Sequence, residues 1–207
     1  MFFAKINKSC LITYIGVLFG VLAMYFAFTK MAFSDVDYVR YSLACLVVSG
    51  VCDMFDGKFA RACKRTKEEK EFGIQLDSLA DTFCFLAVPV VFMMSLEMIH
   101  WWDVIVFTIF ILCGVSRLGY FNIKADADTA CKTYQGLPVT STAIIFPILG
   151  LFHTLMGVTA FRIMYLVTTV LVSFLMVVNI KVPKFTGIWY KIIPILAIAL
   201  ILLLVIL

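Results

Sequence analysis

Apolar positions along this chain come in long unbroken runs rather than in alternation or in a one-faced helical stripe. Seven runs, near residues 9–29, 38–61, 73–97, 101–123, 138–157, 161–180 and 188–207, are separated by charged or turn-forming breaks. A helix needs about 20 residues to cross a bilayer, so the pattern predicts an all-α integral membrane protein, a polytopic bundle of seven spans. The second run carries charges in its last third, between Asp53 and Arg61. The first run follows Lys5 and Lys8, but from about Cys10 to Phe28 it is longer than a signal-peptide core. It also lacks a small-residue cleavage site before Lys30, and so reads as the first span. With short loops, no internal repeat and no low-complexity linker, residues 1–207 are expected to form one membrane-embedded domain.

Composition agrees with the pattern. Hydrophobic residues make up 63% of the chain and charged residues 14%, with a mean hydropathy of +1.05, which excludes a water-soluble domain with a polar surface. The net charge of +4 is modest, and the basic residues lie in short inter-helix segments, which argues against a nucleic-acid partner. Their placement predicts orientation. Lys5 and Lys8, then Arg61, Lys64, Arg65, Lys67 and Lys70, then Lys124 and Lys132, then Lys181 and Lys184, all fall on one side, which the positive-inside rule makes cytoplasmic. The opposite side has Lys30, the Glu97–Asp103 turn and the Met156–Arg162 turn, with Trp101 and Trp102 as an interfacial anchor. The setting is a cell membrane. The seven cysteines form no C-x-x-C pair and read as small buried hydrophobes.

Four acids interrupt this apolar pattern. Asp53 and Asp56 share one face of the second predicted helix with Ala60, at i, i+3, i+7. On the third, Gly73, Asp77 and Asp81 share a face at i, i+4, i+8. In an antiparallel pair the depths match: Asp53 and Asp81 lie roughly 12 Å from the loop boundary, and Asp56 and Asp77 roughly 6 to 8 Å, at about 1.5 Å per residue. The four are expected to form one square. Intramembrane acids are costly and default to a functional reading, and four carboxylates at close quarters cannot all stay ionised without cations. Oxygen ligands alone, with no His or Cys, suit Mg2+, Mn2+ or Ca2+ rather than zinc, and two ions would balance the charge. Gly57 and Gly73 fit close approach of a ligand to backbone, or equally helix packing through small residues.

The string Asp53-x-x-Asp56-Gly57-x-x-Ala60-Arg61, followed by Gly73-x-x-x-Asp77-x-x-x-Asp81, resembles the signature of the CDP-alcohol phosphatidyltransferases at every defined position. The resemblance implies six core transmembrane helices, a polar cavity open to the cytoplasm and a CDP-linked lipid donor held through its diphosphate by metal. It assigns Asp53, Asp56 and Asp77 chiefly as metal ligands and Asp81 as general base, with Asp81 able to ligate as well. Asp53, Gly57, Ala60, Arg61 and Gly73 become the CDP-diacylglycerol-binding set. By the same likeness the chain is expected to be a homodimer among membrane lipids.

The acceptor is written elsewhere in the chain. Asp77-Ser78-Leu79-Ala80-Asp81, Cys113-Gly114-x-x-Arg117-Leu118-x-x-Phe121-Asn122 and Tyr134-x-Gly136-Leu137-Pro138, with the Lys181–Phe185 stretch, together resemble the bacterial and archaeal branch of the family that uses L-serine. Tyr120 and Gly16 depart from that branch, which usually has Arg and Asn there. Arg117 lies roughly 9 Å inside the cytoplasmic end of its helix, and its planar fork suits the serine carboxylate or a lipid phosphate. A snorkelling or structurally paired arginine is the other reading. Asn122 and Gln135 are further candidates for acceptor contacts, which a helix cap and an exposed loop residue explain as well. A phosphorylated acceptor, such as glycerol phosphate or inositol phosphate, would call for a second deep basic residue, and none is evident. A cation channel or carrier would spread its acids across the membrane, whereas here all four sit in the cytoplasmic half. His100, His153 and Ser116 have no catalytic pattern around them.

Overall fold

A computed structural model describes residues 7–33, 36–126, 133–153, 155–183 and 189–206. Lys5, Lys132 and Lys184 lie outside the described residues, and Lys124, Gln135 and Lys181 are described in backbone only.

The first helix, α1 (Leu11–Phe33), is entered through a 3-10 turn at Lys8–Cys10, whose Ser9 N–H is capped by the Asn7 side chain at 3.2 Å. Gly16, Gly20, Ala23 and Ala27 form a buried stripe of small residues at helical spacing. Along that stripe packs α2 (Val36–Ala62), with the Ser42 hydroxyl donating to the Ala23 carbonyl at 2.8 Å. A Cβ on Gly16 would stand 3.3 Å from that of Cys52, so the absence of a side chain there sets how closely the two helices approach.

The third predicted span is a longer rod with a bulge in its middle. It begins at Lys67, six residues before the expected start at 73, because Thr66 and Glu69 form a reciprocal capping box that carries the helix beyond the apolar run. Helix α3 (Lys67–Thr82) passes through a π-helical turn at Phe83–Ala87 into α4 (Val88–Ser95). Pro89 brings no N–H to the Phe85 carbonyl four residues earlier, and that carbonyl instead accepts the Thr142 hydroxyl at 3.0 Å.

Helix α5 (Trp101–Asp126) starts where expected, with Trp101 and Trp102 exposed. The turn before it holds Glu97 at a φ of 62°, in an ion pair with Arg162. The Lys30 ammonium donates to the Ser95 carbonyl at 2.6 Å. The fifth predicted span is shorter than its apolar run: α6 (Thr142–Gly150), preceded by a 3-10 turn at Val139–Ser141, ends at Gly150 rather than 157, and turns follow. Gly150 sits against Leu43 of α2 and the Tyr165 hydroxyl of α7 (Val158–Val177), where a side chain would collide. The last helix is α8 (Trp189–Ile206).

Hydropathy foretold no strand, yet Thr133–Gln135 (β1) pairs antiparallel with Lys181–Pro183 (β2), Tyr134 facing Val182. This ribbon ties the segment before α6 to the segment after α7. Gly136 follows at a φ of 72°, its N–H reaching the Ile180 carbonyl at 2.9 Å.

The protein is therefore a multi-pass helical membrane protein, with helix in each of the seven expected spans. Four helical stretches among the described residues, Lys8–Phe33, Lys67–Ser95, Trp101–Ile123 and Val158–Val177, are long and apolar enough to cross a bilayer on composition alone. The stretches Val139–Gly150 and Ile192–Ile206 are shorter, and the 27-residue α2 carries two of the four acids, Asp53 and Asp56. The core lies towards the far end from those acids, where Phe92, Phe110, Phe146, Phe161 and Tyr165 interlock edge to face and stacked.

Candidate active site

Helices α2 and α3 are joined by the short turn Cys63–Thr66 and run back past each other, with α1 packed along α2 and touching α3. The expected depth pairing is present. Asp53 faces Asp81 and Asp56 faces Asp77, each pair within hydrogen-bonding reach. Asp53, Asp56 and Asp77 each offer a carboxylate oxygen, all within 4.8 Å of one another. Asp81 stands against Asp53, outside this triangle. The square of the sequence reading is thus a compact group of three with the fourth acid, Asp81, attached to it through Asp53.

Burial makes the group costly. Asp56 is 7% exposed and Asp81 8%, and carboxylates so placed need either protons or cation charge. Asp53, Asp56, Asp81 and Cys84 line a narrow cavity whose far wall is Thr13 and Gly16 of α1. The donor set, all carboxylate oxygen with hydroxyl support, fits a hard divalent cation.

Gly57 and Gly73 flank the mouth of the acids, at the end of the helices nearest the α2–α3 turn. A Cβ on Gly57 would meet only the Arg61 guanidinium, at 3.8 Å, and one on Gly73 would stand 3.3 Å from Arg65 Nη1. Ala60 is half-buried and Arg61 exposed beside them.

Arg117 lies close enough to Asp53 for its charge to act on that carboxylate, and its guanidinium sits over the Phe121 ring at 5.4 Å. The deep arginine of α5 is therefore within electrostatic range of the acid site. Asn122 is one turn away from it and donates to the Ser78 hydroxyl at 2.8 Å, clamping α5 to α3 beside Asp77. Gln135 lies in β1, and its side chain falls outside what is described.

One contributor was invisible in the motif. The Thr13 hydroxyl donates to Asp56 Oδ2 at 3.1 Å, from a residue 43 positions earlier in the chain. No spacing links the two, and only the packing of α1 on α2 brings them together.

The family model of CDP-alcohol phosphatidyltransferase matches residues 6–177, which takes in every acid of the site. The chain belongs to the CDP-alcohol phosphatidyltransferase family. Curated relatives of the same family are named CDP-diacylglycerol–serine O-phosphatidyltransferase. That of Saccharomyces cerevisiae is 28% identical over 149 residues, 68% of this chain and 53% of the yeast protein. The Helicobacter pylori (strain 26695) protein is 28% identical over 183 residues, 84% of this chain and 71% of its own. The Bacillus subtilis protein is 26% identical over 179 residues, covering 85% and 89%. This CDP-alcohol phosphatidyltransferase thus spans about half the length of the yeast relative and most of the bacterial ones.

Proposed function

We propose that this membrane enzyme transfers the phosphatidyl group of CDP-diacylglycerol to the hydroxyl of L-serine, giving phosphatidylserine and CMP. The observation that carries the reaction type is the acid cluster: four signature carboxylates from two helices, converging beside a glycine-flanked mouth. The relatives' names support serine, and so does one deep arginine whose charge acts on Asp53.

Asp53, Asp56 and Asp77 are the residues that hold divalent metal, two Mg2+ or Mn2+ ions in this reading, with Asp81 able to join them. When bound, such ions supply positive charge for the donor diphosphate and for the CMP that leaves. Gly57, Ala60, Arg61 and Gly73 seat the donor at the mouth, its acyl chains in lipid and its nucleotide towards water. Asp81, against Asp53, takes the proton of the serine hydroxyl as that oxygen attacks the phosphorus bearing diacylglycerol, and the bond from phosphorus to CMP breaks. Arg117 orients the serine carboxylate through its fork.

The acid end of the bundle faces the cytoplasm, since Lys8, Lys58, Arg61, Lys64, Arg65, Lys67 and Lys70 gather there. Labelling of single cysteines placed at 64–70 from the cytoplasmic side only is the expected result. The protein works as a homodimer, by family likeness, which its mass in detergent would check.

The decisive experiment is an acceptor panel with purified protein and CDP-diacylglycerol, scored by CMP release. Release with serine, and little with glycerol phosphate, inositol phosphate or inositol, is expected. CMP release driven by a phosphorylated alcohol and not by serine would transfer the enzyme to another acceptor class.

A further inference from the structure

The turn between α2 and α3 carries a basic side chain that the signature does not include. Arg65 does not reach out into solvent. Its Nη1 lies 3.3 Å from where a Cβ on Gly73 would stand. The side chain is therefore folded back over the face of α3 that bears Asp77 and Asp81 one and two turns deeper. Arg61, though exposed, lies along the opposite wall, with Nη1 3.8 Å from the corresponding point on Gly57. The two signature glycines are thus where two guanidinium groups lie close to helix backbone, on either side of one mouth.

Arg65 Nε is shut away from solvent and has no hydrogen-bond partner among the described residues. A buried cationic N–H without an acceptor is costly, and an anionic oxygen is the acceptor that best offsets the cost. Residues flanking Arg65 in the chain, Cys63, Lys64 and Glu69, line an open cavity of about 430 Å³ together with Asn7 and Lys8, which lies within the size range of small-molecule sites. The Glu69 carboxylate accepts the Thr66 N–H at 2.8 Å, and the Asn7 side-chain Oδ1 accepts the Ser9 N–H at 3.2 Å. Two lysines against one committed acid leave the cavity net positive.

We propose that Arg65 is a second donor-binding guanidinium, which holds a phosphate oxygen of the nucleotide-linked lipid at the mouth opposite Arg61, with the Lys8 and Lys64 cavity receiving the polar remainder of the nucleotide. This rests on the donor reading above and adds to it a residue outside the signature. A planar guanidinium can set two parallel N–H donors on one phosphate, a fixed fork geometry that the point charge of an ammonium lacks. A residue that merely braced the α2–α3 turn would affect folding and leave substrate constants alone.

The test uses the full chain in detergent with Mn2+. It compares wild type, Arg65→Gln and Arg65→Lys for CMP binding by calorimetry and for the steady-state constants of CDP-diacylglycerol and serine. Arg65→Gln is expected to weaken CMP binding and raise the donor KM on the order of tenfold or more, the effect of losing hydrogen bonds to a charged group. The serine KM should hold, and Arg65→Lys should fall between the two. Wild-type CMP affinity in Arg65→Gln, or a loss confined to the serine KM, overturns the proposal. Should Arg65→Gln lose its fold, Arg65→Lys decides: its donor KM rises severalfold or the proposal fails. A wild type that neither binds CMP nor consumes CDP-diacylglycerol removes the donor reading itself, whereas an active wild type with an indifferent Arg65 removes only this inference.

Discussion

Replacing Thr13 by valine takes away the hydroxyl that α1 brings to Asp56 and leaves the side-chain volume nearly unchanged. The bond is 3.1 Å long, and its acceptor is a carboxylate only 7% exposed, so water has little room to replace the lost donor. A hydrogen bond to a charged group contributes about 1.5–3 kcal/mol, and outer partners that orient metal ligands are worth about 10- to 100-fold in affinity. Because the bond is already formed before any ion arrives, part of its loss is shared by the metal-free and loaded protein. The expectation is therefore the lower end, about tenfold weaker Mn2+ binding. Titration of free Mn2+ by electron paramagnetic resonance measures this without substrate, and the unfolding temperature in EDTA checks that α1 still packs. Thr13→Ser, which keeps the hydroxyl, should bind as wild type. Equal Mn2+ affinity in Thr13→Val, or a serine variant as weak as the valine one, would refute the view that α1 positions the Asp56 carboxylate.

Three further outcomes are expected. Asp53→Ala, Asp56→Ala and Asp77→Ala should each abolish CMP release, and EDTA should silence the wild type until Mn2+ or Mg2+ is restored; full activity in EDTA would sink the metal reading. Asp81→Asn should lower kcat by on the order of a hundredfold or more while donor binding changes less, whereas Arg117→Lys should mainly raise the serine KM; steady-state kinetics on both variants separates base from acceptor contact. Gly50→Val should destabilise the fold by about 1–3 kcal/mol through overpacking, because a Cβ at Gly50 already stands 2.6 Å from that of Ala143, and thermal unfolding in detergent reads the loss directly.

The sequence by itself determined most of what makes this an enzyme of its family. Long apolar runs force backbone hydrogen bonds inside each segment, because lipid offers no others, so helix was readable in all seven. Periodicity then put Asp53 with Asp56 and Asp77 with Asp81 on single faces, and the antiparallel turn between the two helices fixed which acids meet at equal depth. These are local consequences of 3.6 residues per turn and a short connection, and they needed no knowledge of the rest of the chain.

Only the tertiary structure decided the remainder. Helix ends escaped hydropathy wherever a cap or a collision outweighed it: the Thr66–Glu69 box starts α3 in a charged segment, and α6 stops at Gly150 inside an apolar run. The β1–β2 ribbon depends on partners some fifty residues apart, as Gln135 opposite Lys181 shows. Thr13 reaches Asp56 and Asn122 reaches Ser78 across helices that no spacing rule connects, and the charge of Arg117 acts on Asp53 from a third. Arg65 read as one more cytoplasmic charge until its side chain was seen lying over Gly73. A helix's own face is fixed by its pitch, but which face meets which neighbour is fixed by how the small residues of α1, α2 and α6 let whole helices approach. That packing is a property of the assembled bundle rather than of any one segment.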